Sequence, residues 1–292
     1  MASFLEKLPF PGARRRRPLV TVLRLSGVVG SLGPMRSGLS LARLAGQIEK
    51  AFAPKHLSAV ALAVNCPGGS PVQSALIAQR IRDLAEEKEV EVYAFTEDVA
   101  ASGGYWIACA ADKIYANESS IVGSIGVVSS GFGFTQLIEK IGIERRLHTS
   151  GDKKVLLDAF KAEDPADVKR LKAVQKEVHD SFKALVRARR GERLQGSDRT
   201  LFSGEFWTGR KALELGLIDG LGELRQIMRE RFGEKVRLRR IEAPKSWWRR
   251  GVGAESGGWP GTDGVIGGLA ESLPEGLMAA LEQRALWQRY GL

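Results

Sequence analysis

The sequence predicts an α/β domain built on a largely parallel sheet, and three features carry that prediction. Short continuous apolar runs, such as SAVALAVN at 58–65 and VEVYAF at 90–95, have the make-up of strands buried on both faces. Segments with helical apolar spacing separate them. The connections are short, so the crossovers are right-handed and neighbouring strands run parallel.

The elements follow in order. LVTVLRLSG at 19–27 alternates and is rich in β-branched residues, which predicts a first strand; 39–53 has helical spacing. The strand at 58–65 ends in CPGG, and 70–88 opens as a helix with Pro71 near its start. After the strand at 90–95 comes ASGG and a short apolar helix to about Ala111, then a strand at 113–116 and a strand or turn at 123–130. A helix is expected near 134–141, an extended stretch at 143–150 and a long charged amphipathic helix at 163–190. Residues 207–232 predict two helices around a Gly-rich turn, and 236–243 a last strand. Residues 244–270 are rich in Gly, Trp and Pro and suit a linker; Ser272 and Glu275 have capping-box spacing at the start of a helix reaching Tyr290. The expected organisation is a basic segment at 1–18, a domain at 19–243, and a linker and helix at 244–292.

With 292 residues, 27% charged and 43% hydrophobic, the chain can bury a core without disulfides. Its two cysteines, Cys66 and Cys109, suggest free thiols in a reducing compartment. There is no CxxC pair and no HExxH, so neither a zinc site nor any other cofactor is expected. The N-terminal stretch lacks a secretory h-region, and no apolar run reaches the ~20 residues that span a bilayer, so a cytoplasmic location is expected.

The net charge of +10 is concentrated. Arg14 to Arg17 and residues 225–250 together contribute +11, leaving the rest near neutral. Basic ends favour an acidic partner, and solubilising charge explains them equally well. Phe4, Leu5, Leu8 and Phe10 precede the arginines, and Trp247 and Trp248 adjoin Arg249 and Arg250. That mixture suits peripheral contact with anionic lipid at the inner face of a membrane. No RNA-recognition motif or aromatic-interleaved basic stretch points to nucleic acid.

Two strand-to-helix corners carry paired glycines, NCPGGSP at 65–71 and ASGG at 101–104. Neither is a Walker loop, and a tight turn explains Gly68 and Gly69 by themselves. Ser102 falls at the start of a helix, where it serves either as an N-cap or as a nucleophile beside backbone N–H groups that stabilise negative charge. Taken alone, capping is the simpler reading; two glycine corners shift the balance, because acyl transfer needs two donors on one oxygen. A serine also needs a base. His56, His148 and His179 have no acidic partner by spacing, and Lys153 and Lys154 precede an apolar run. The residue pattern alone leaves that choice open.

NCPGGSP, DVAASGGYWIACAADKIYANESSIVGSIGVV, SGDKKVLLDAF and FWTGRKALELGLIDGLG occur here in the order found in the signal peptide peptidase A family, peptidase family S49 with its SohB-type members. The resemblance covers roughly 19–240. It implies the crotonase-like fold of the Clp proteolytic subunit in a single copy, and a serine endopeptidase with a Ser–Lys dyad. It further implies Ser102 as nucleophile, Lys154 as general base, Gly69 and Gly103 as oxyanion donors, and Ser124 as the group that hydrogen-bonds the lysine. A single copy implies a homo-oligomeric ring acting on peptides such as signal-peptide remnants. The chain departs from many members in lacking an N-terminal span, and Cys66 stands where serine is usual. Two other functions share these corners: a crotonase-type acyl-CoA enzyme, and a scaffold at a membrane with a vestigial dyad.

Overall fold

A computed structural model describes residues 17–30, 38–151, 153–242 and 284–291. The arginines at 14–16, the apolar residues at 4–10, the linker at 244–270, Trp247, Trp248 and the Ser272–Glu275 pair lie outside the described residues.

Strands β1 (Leu19–Ser26), β2 (Leu57–Cys66) and β3 (Val92–Ala101) pair in parallel as the centre of the sheet, joined by α1 (Leu41–Phe52) and α2 (Pro71–Lys88). After α3 (Gly103–Ala108), strands β4 (Lys113–Ala116) and β5 (Ile121–Gly123) take successive halves of the same β3 edge. Next come α4 (Thr135–Lys140), the long α5 (Pro165–Arg190) and α6 (Asp198–Leu201). Strand β6 (Phe206–Thr208) runs antiparallel to β5; α7 (Gly209–Glu214), β7 (Gly220–Leu221), α8 (Leu224–Phe232) and β8 (Arg237–Arg240) close the order. The main path is β6-β5-β3-β2-β1-β8, with β4 and β7 to one side of β3.

Why β2 reads as an unbroken apolar run is now plain. Val60, Leu62 and Val64 face α1, α2 and α3, while Ala59, Ala61 and Ala63 face the layer of Met228 on α8. Both faces are dry from Ala59 to Val64, so no position in that run is left for a polar residue. Each fully buried Leu or Ile of this core stabilises the fold by about 1.5–3 kcal/mol. The Ala face leaves room for Tyr93, Phe95 and Tyr115, whose rings stack at 5.5–6.5 Å.

The structure corrects several expected elements. β3 continues six residues past Phe95, and its ladder with β2 slips from Val64↔Thr96 to Cys66↔Ala100. Asn65 fills the slip: its Nδ2 donates to Asp98 at 2.6 Å and its Oδ1 accepts the Val99 N–H at 3.3 Å. Of the strand or turn expected at 123–130, the strand is Ile121–Gly123 and 124–130 is irregular, as is 143–150. Where a helix was expected from 207, Phe206–Thr208 forms the antiparallel edge. Of the helix expected at 272–290, the described residues 284–288 are helical, and 272–283 lie outside the described residues.

Candidate active site

The β2 and β3 strands end side by side, and each hands over to a helix through its glycine corner. Ser102 is the turning residue of the second corner, at φ 51 and ψ −120, a conformation that a side chain rarely adopts. Its N–H donates to the Gly123 carbonyl at 2.8 Å, and its own carbonyl accepts the Trp106 N–H at 2.9 Å. Although Ser102 occupies the N-cap position of α3, its hydroxyl makes no capping hydrogen bond. The simple capping role is therefore absent.

The glycines are there because backbone meets backbone. A methyl on Gly104 would overlap the Cys66 carbonyl, and one on Gly103 would overlap the Ser74 hydroxyl while lying 3.4 Å from the Gly69 nitrogen. Gly69 itself, at φ 136, is pressed onto Val29. The two corners thus bring the amides of Gly69 and Gly103 to one place, and among the described residues neither amide donates to a protein acceptor. The aromatic pair behind Ser102 anchors α3. The Tyr105 hydroxyl donates to the Leu217 carbonyl at 2.7 Å, and Trp106 stacks on Phe182 of α5 at 4.6 Å.

Ser102 is half-buried and opens on two adjoining cavities. One, of about 540 Å³, has Gly69, Val128 and Tyr290 among its walls. The other, of about 270 Å³, is shared with Ser124 and His179. Ser124 is buried, also at positive φ (53), and its N–H donates to the Glu205 carbonyl at 2.6 Å. Four of the residues named from sequence, Ser102, Gly69, Gly103 and Ser124, are thus assembled at one corner. Lys154 is not with them. It is exposed, on a turn closed by its N–H to the Gly151 carbonyl at 3.1 Å, and lines neither cavity. Lys153 is exposed beside it, and so are His56 and His148.

His179 is the residue that the sequence argument undervalued. Its Nε2 lies 3.1 Å from the Ile125 carbonyl, at the wall of the smaller cavity. A signal existed: with Phe182, Val186 and Arg190 it forms one stripe at helical spacing along α5, and those three are the helix's buried residues. Cys66 and Cys109 are free and buried, and burial pushes both thiols up to about 12. Among the described residues no group of three or more His, Cys, Asp or Glu side chains is placed to hold a metal, and no helix is long and apolar enough to cross a membrane.

The described residues form one crotonase-like α/β domain. Residues 84–236 match the model of Peptidase family S49, and the chain belongs to that family. A Brucella abortus protein named Na(+)/H(+) antiporter NhaA is 50% identical over 277 residues, which is 94% of this chain and 37% of that one. The chain therefore spans little more than a third of that relative's length. A Synechocystis sp. protein described provisionally as a protease is 33% identical over 230 residues, 77% of this chain and 81% of that one. The serine protease SPPA, chloroplastic, of Arabidopsis thaliana is 29% identical over 285 residues, 91% of this chain and 41% of that one.

Proposed function

We propose that the chain is a serine endopeptidase with Ser102 as its nucleophile. One observation carries this reading: a serine stands at a helix start, in strained backbone, with a hydroxyl that caps nothing. The Ser102 Oγ attacks a peptide carbonyl carbon, the C–N bond breaks, and an acyl ester forms. The Lys154 side-chain nitrogen takes the hydroxyl proton and passes it to the leaving nitrogen. Water then attacks the ester, the same amine accepts its proton, and the acid and Ser102 are released. The Gly69 and Gly103 amides donate to the oxyanion at both stages; one such donor is worth about 2.7–4 kcal/mol. Ser124 orients the lysine.

Since Lys154 is exposed and outside both cavities, we assign its delivery to a second copy of the chain. The surface around it supports that assignment. Phe134 holds the lysine's loop by donating its N–H to the Ala159 carbonyl at 2.6 Å and by packing on Phe160 at 5.7 Å. Phe132, Leu137, Ile141 and Ile143 nearby are all exposed, an apolar face that suits a subunit interface. A ring so formed would admit unfolded or short peptides, signal-peptide remnants among them.

The antiporter name belongs to proteins of which this chain matches 37%, and the matching stretch carries the peptidase family here, so no ion transport is assigned to it. Peripheral binding to anionic lipid through the basic ends is proposed alongside. Flotation with anionic but not neutral vesicles, weakening with salt, is the expected result; equal recovery with both overturns it.

The function is tested with a fluorophosphonate probe and a peptide substrate on the native chain and on Ser102→Ala. Labelling and hydrolysis by the native chain that both vanish in Ser102→Ala are expected. Undiminished hydrolysis by Ser102→Ala overturns the assignment.

A further inference from the structure

One turn of α5 is tied to both halves of the site. His179 and Phe182 are neighbours on one face of the helix, at the spacing that brings side chains together. Phe182 stacks on Trp106 at 4.6 Å, and the Trp106 N–H donates to the Ser102 carbonyl at 2.9 Å. His179 meets the Ile125 carbonyl through Nε2 at 3.1 Å, and Ile125 directly follows Ser124. The same helix turn is thus connected to the nucleophile and to the second serine of the smaller cavity.

The partner's chemistry fixes the state of the ring. A carbonyl only accepts, so Nε2 carries a proton and donates; in the neutral imidazole this leaves Nδ1 bare. The bond steadies a strained turn. Ser124 stands at φ 53 with its N–H on the Glu205 carbonyl at 2.6 Å, and the Gly126 N–H returns to the Ser124 carbonyl at 3.0 Å. A methyl on Gly126 would lie only 3.0 Å from the Gly204 Cα. Residues 204 and 205 therefore hold the turn on one side and His179 holds it on the other. Ile125 is 0% exposed, and among the described residues its carbonyl has no other hydrogen-bond donor. A buried carbonyl that loses such a donor is costly to leave unpaired, so the turn must move to find another.

We propose that His179 is a positioning residue: by donating to Ile125 it sets where the Ser124 hydroxyl stands relative to Ser102. The proposal deepens the peptidase reading and rests on it for the role of Ser124 toward the lysine. A displaced turn leaves peptide binding intact and misplaces the amine that takes the Ser102 proton. The loss therefore falls on kcat.

Two substitutions in the full chain separate the hydrogen bond from the bulk of the ring. His179→Phe keeps a flat ring without the donor, and His179→Gln carries an amide N–H about as far along its side chain as the imidazole Nε2. His179→Leu replaces the Phe variant if that protein does not fold. His179→Phe should lower kcat for a peptide substrate about tenfold, with KM within about twofold of native. His179→Gln should recover most of that loss. A second readout is independent of hydrolysis. Amide hydrogen exchange followed by mass spectrometry should speed about tenfold at 124–126 in His179→Phe and return toward the native rate in His179→Gln. Exchange at 59–64, in the centre of β2, should stay as in the native chain. Equal loss of kcat in the Phe and Gln variants, or a loss carried by KM, overturns the proposal. Unchanged exchange at 124–126, or acceleration as large at 59–64, overturns it as well. Full hydrolysis by Ser102→Ala with this exchange pattern intact would remove the peptidase reading and leave the hold of His179 on the Ser124 turn standing.

Discussion

The Ser102 amide is bonded to the Gly123 carbonyl at 2.8 Å, directly beyond the paired residues Ala101 and Gly123 that end the β3–β5 ladder. The ladder thereby dictates the backbone of the next residue and holds a serine at φ 51, ψ −120. Such a conformation costs of order 1–3 kcal/mol for a residue with a side chain.

Replacing Ser102 with glycine separates chemistry from stability. Ser102→Gly should abolish hydrolysis yet raise stability by about 1 kcal/mol, because glycine adopts positive φ without strain. Urea unfolding followed by circular dichroism measures it. A less stable Ser102→Gly protein would show that the serine is not strained.

Two helical glycines, one in the buried α3 and one in α1, should respond in opposite ways. Gly104→Ala drives a methyl into the Cys66 carbonyl, backbone against backbone, and should cost at least about 1–3 kcal/mol. Gly46→Ala, on the exposed face of α1 with nothing within 4 Å of the added atom, should gain about 0.5–1 kcal/mol. Thermal melts of the two proteins moving the same way would contradict this account of the corner.

The centre of the sheet was legible in the sequence because its strands are dry on both faces, as β2 shows with Val60, Leu62 and Val64 against Ala59, Ala61 and Ala63. β5 and β6 were not. Three residues each, they form through partners distant in the chain, and Trp207 pairs with Val122 on an edge that no local period announces. At the site, Ser102 and its glycines were legible because close backbone approach demands small residues at fixed spacing. The choice of Lys154 rested on family resemblance, and its distance from the cavity could not be read from residues 148–160. The strain at Ser102 and Ser124 is likewise invisible locally, since tertiary hydrogen bonds to Gly123 and from the Ser124 amide to Glu205 impose it.

Stability should fall in acid through a buried pair. Arg190, 2% exposed, donates to Asp219 at 2.6 Å, with Arg193 and the Ile114 N–H as further donors at 3.1 and 2.8 Å. Burial alone would raise the Asp219 carboxyl, but these donors outweigh it and hold it below the usual carboxylate range. Its stabilising effect is therefore complete above the unfolded value of ~3.9 and is lost as pH falls through the lower folded value. The stability gap between the native chain and Asp219→Asn should be widest above about pH 5 and narrow steadily below about pH 4. Arg190→Ala, which removes the buried partner and leaves the carboxylate with only Arg193 and the Ile114 N–H, should cost about 3–5 kcal/mol at neutral pH. A gap that is flat between pH 3 and pH 7, in urea titrations at each pH, would mean that the pair does not couple to folding.

The last prediction concerns where the base comes from. Lys154→Ala should lower peptide hydrolysis at least about 100-fold, within the range for loss of a general base, while Lys153→Ala and His179→Ala retain far more activity. Equal losses at Lys153 and Lys154, or a loss as deep at His179, would put the base elsewhere. If a second copy supplies the lysine, two inactive proteins can repair each other. In a ring assembled at random from equal amounts of Ser102→Ala and Lys154→Ala chains, a site is intact wherever a chain with its serine meets a neighbour with its lysine. That holds at about a quarter of the interfaces of a head-to-tail ring. Mixing the two variants, with unfolding and refolding to exchange subunits, should therefore recover roughly a quarter of native activity. No recovery, from subunits that light scattering shows to have exchanged, would mean that Lys154 reaches Ser102 within its own chain, by a movement of the loop that Phe134 now holds away.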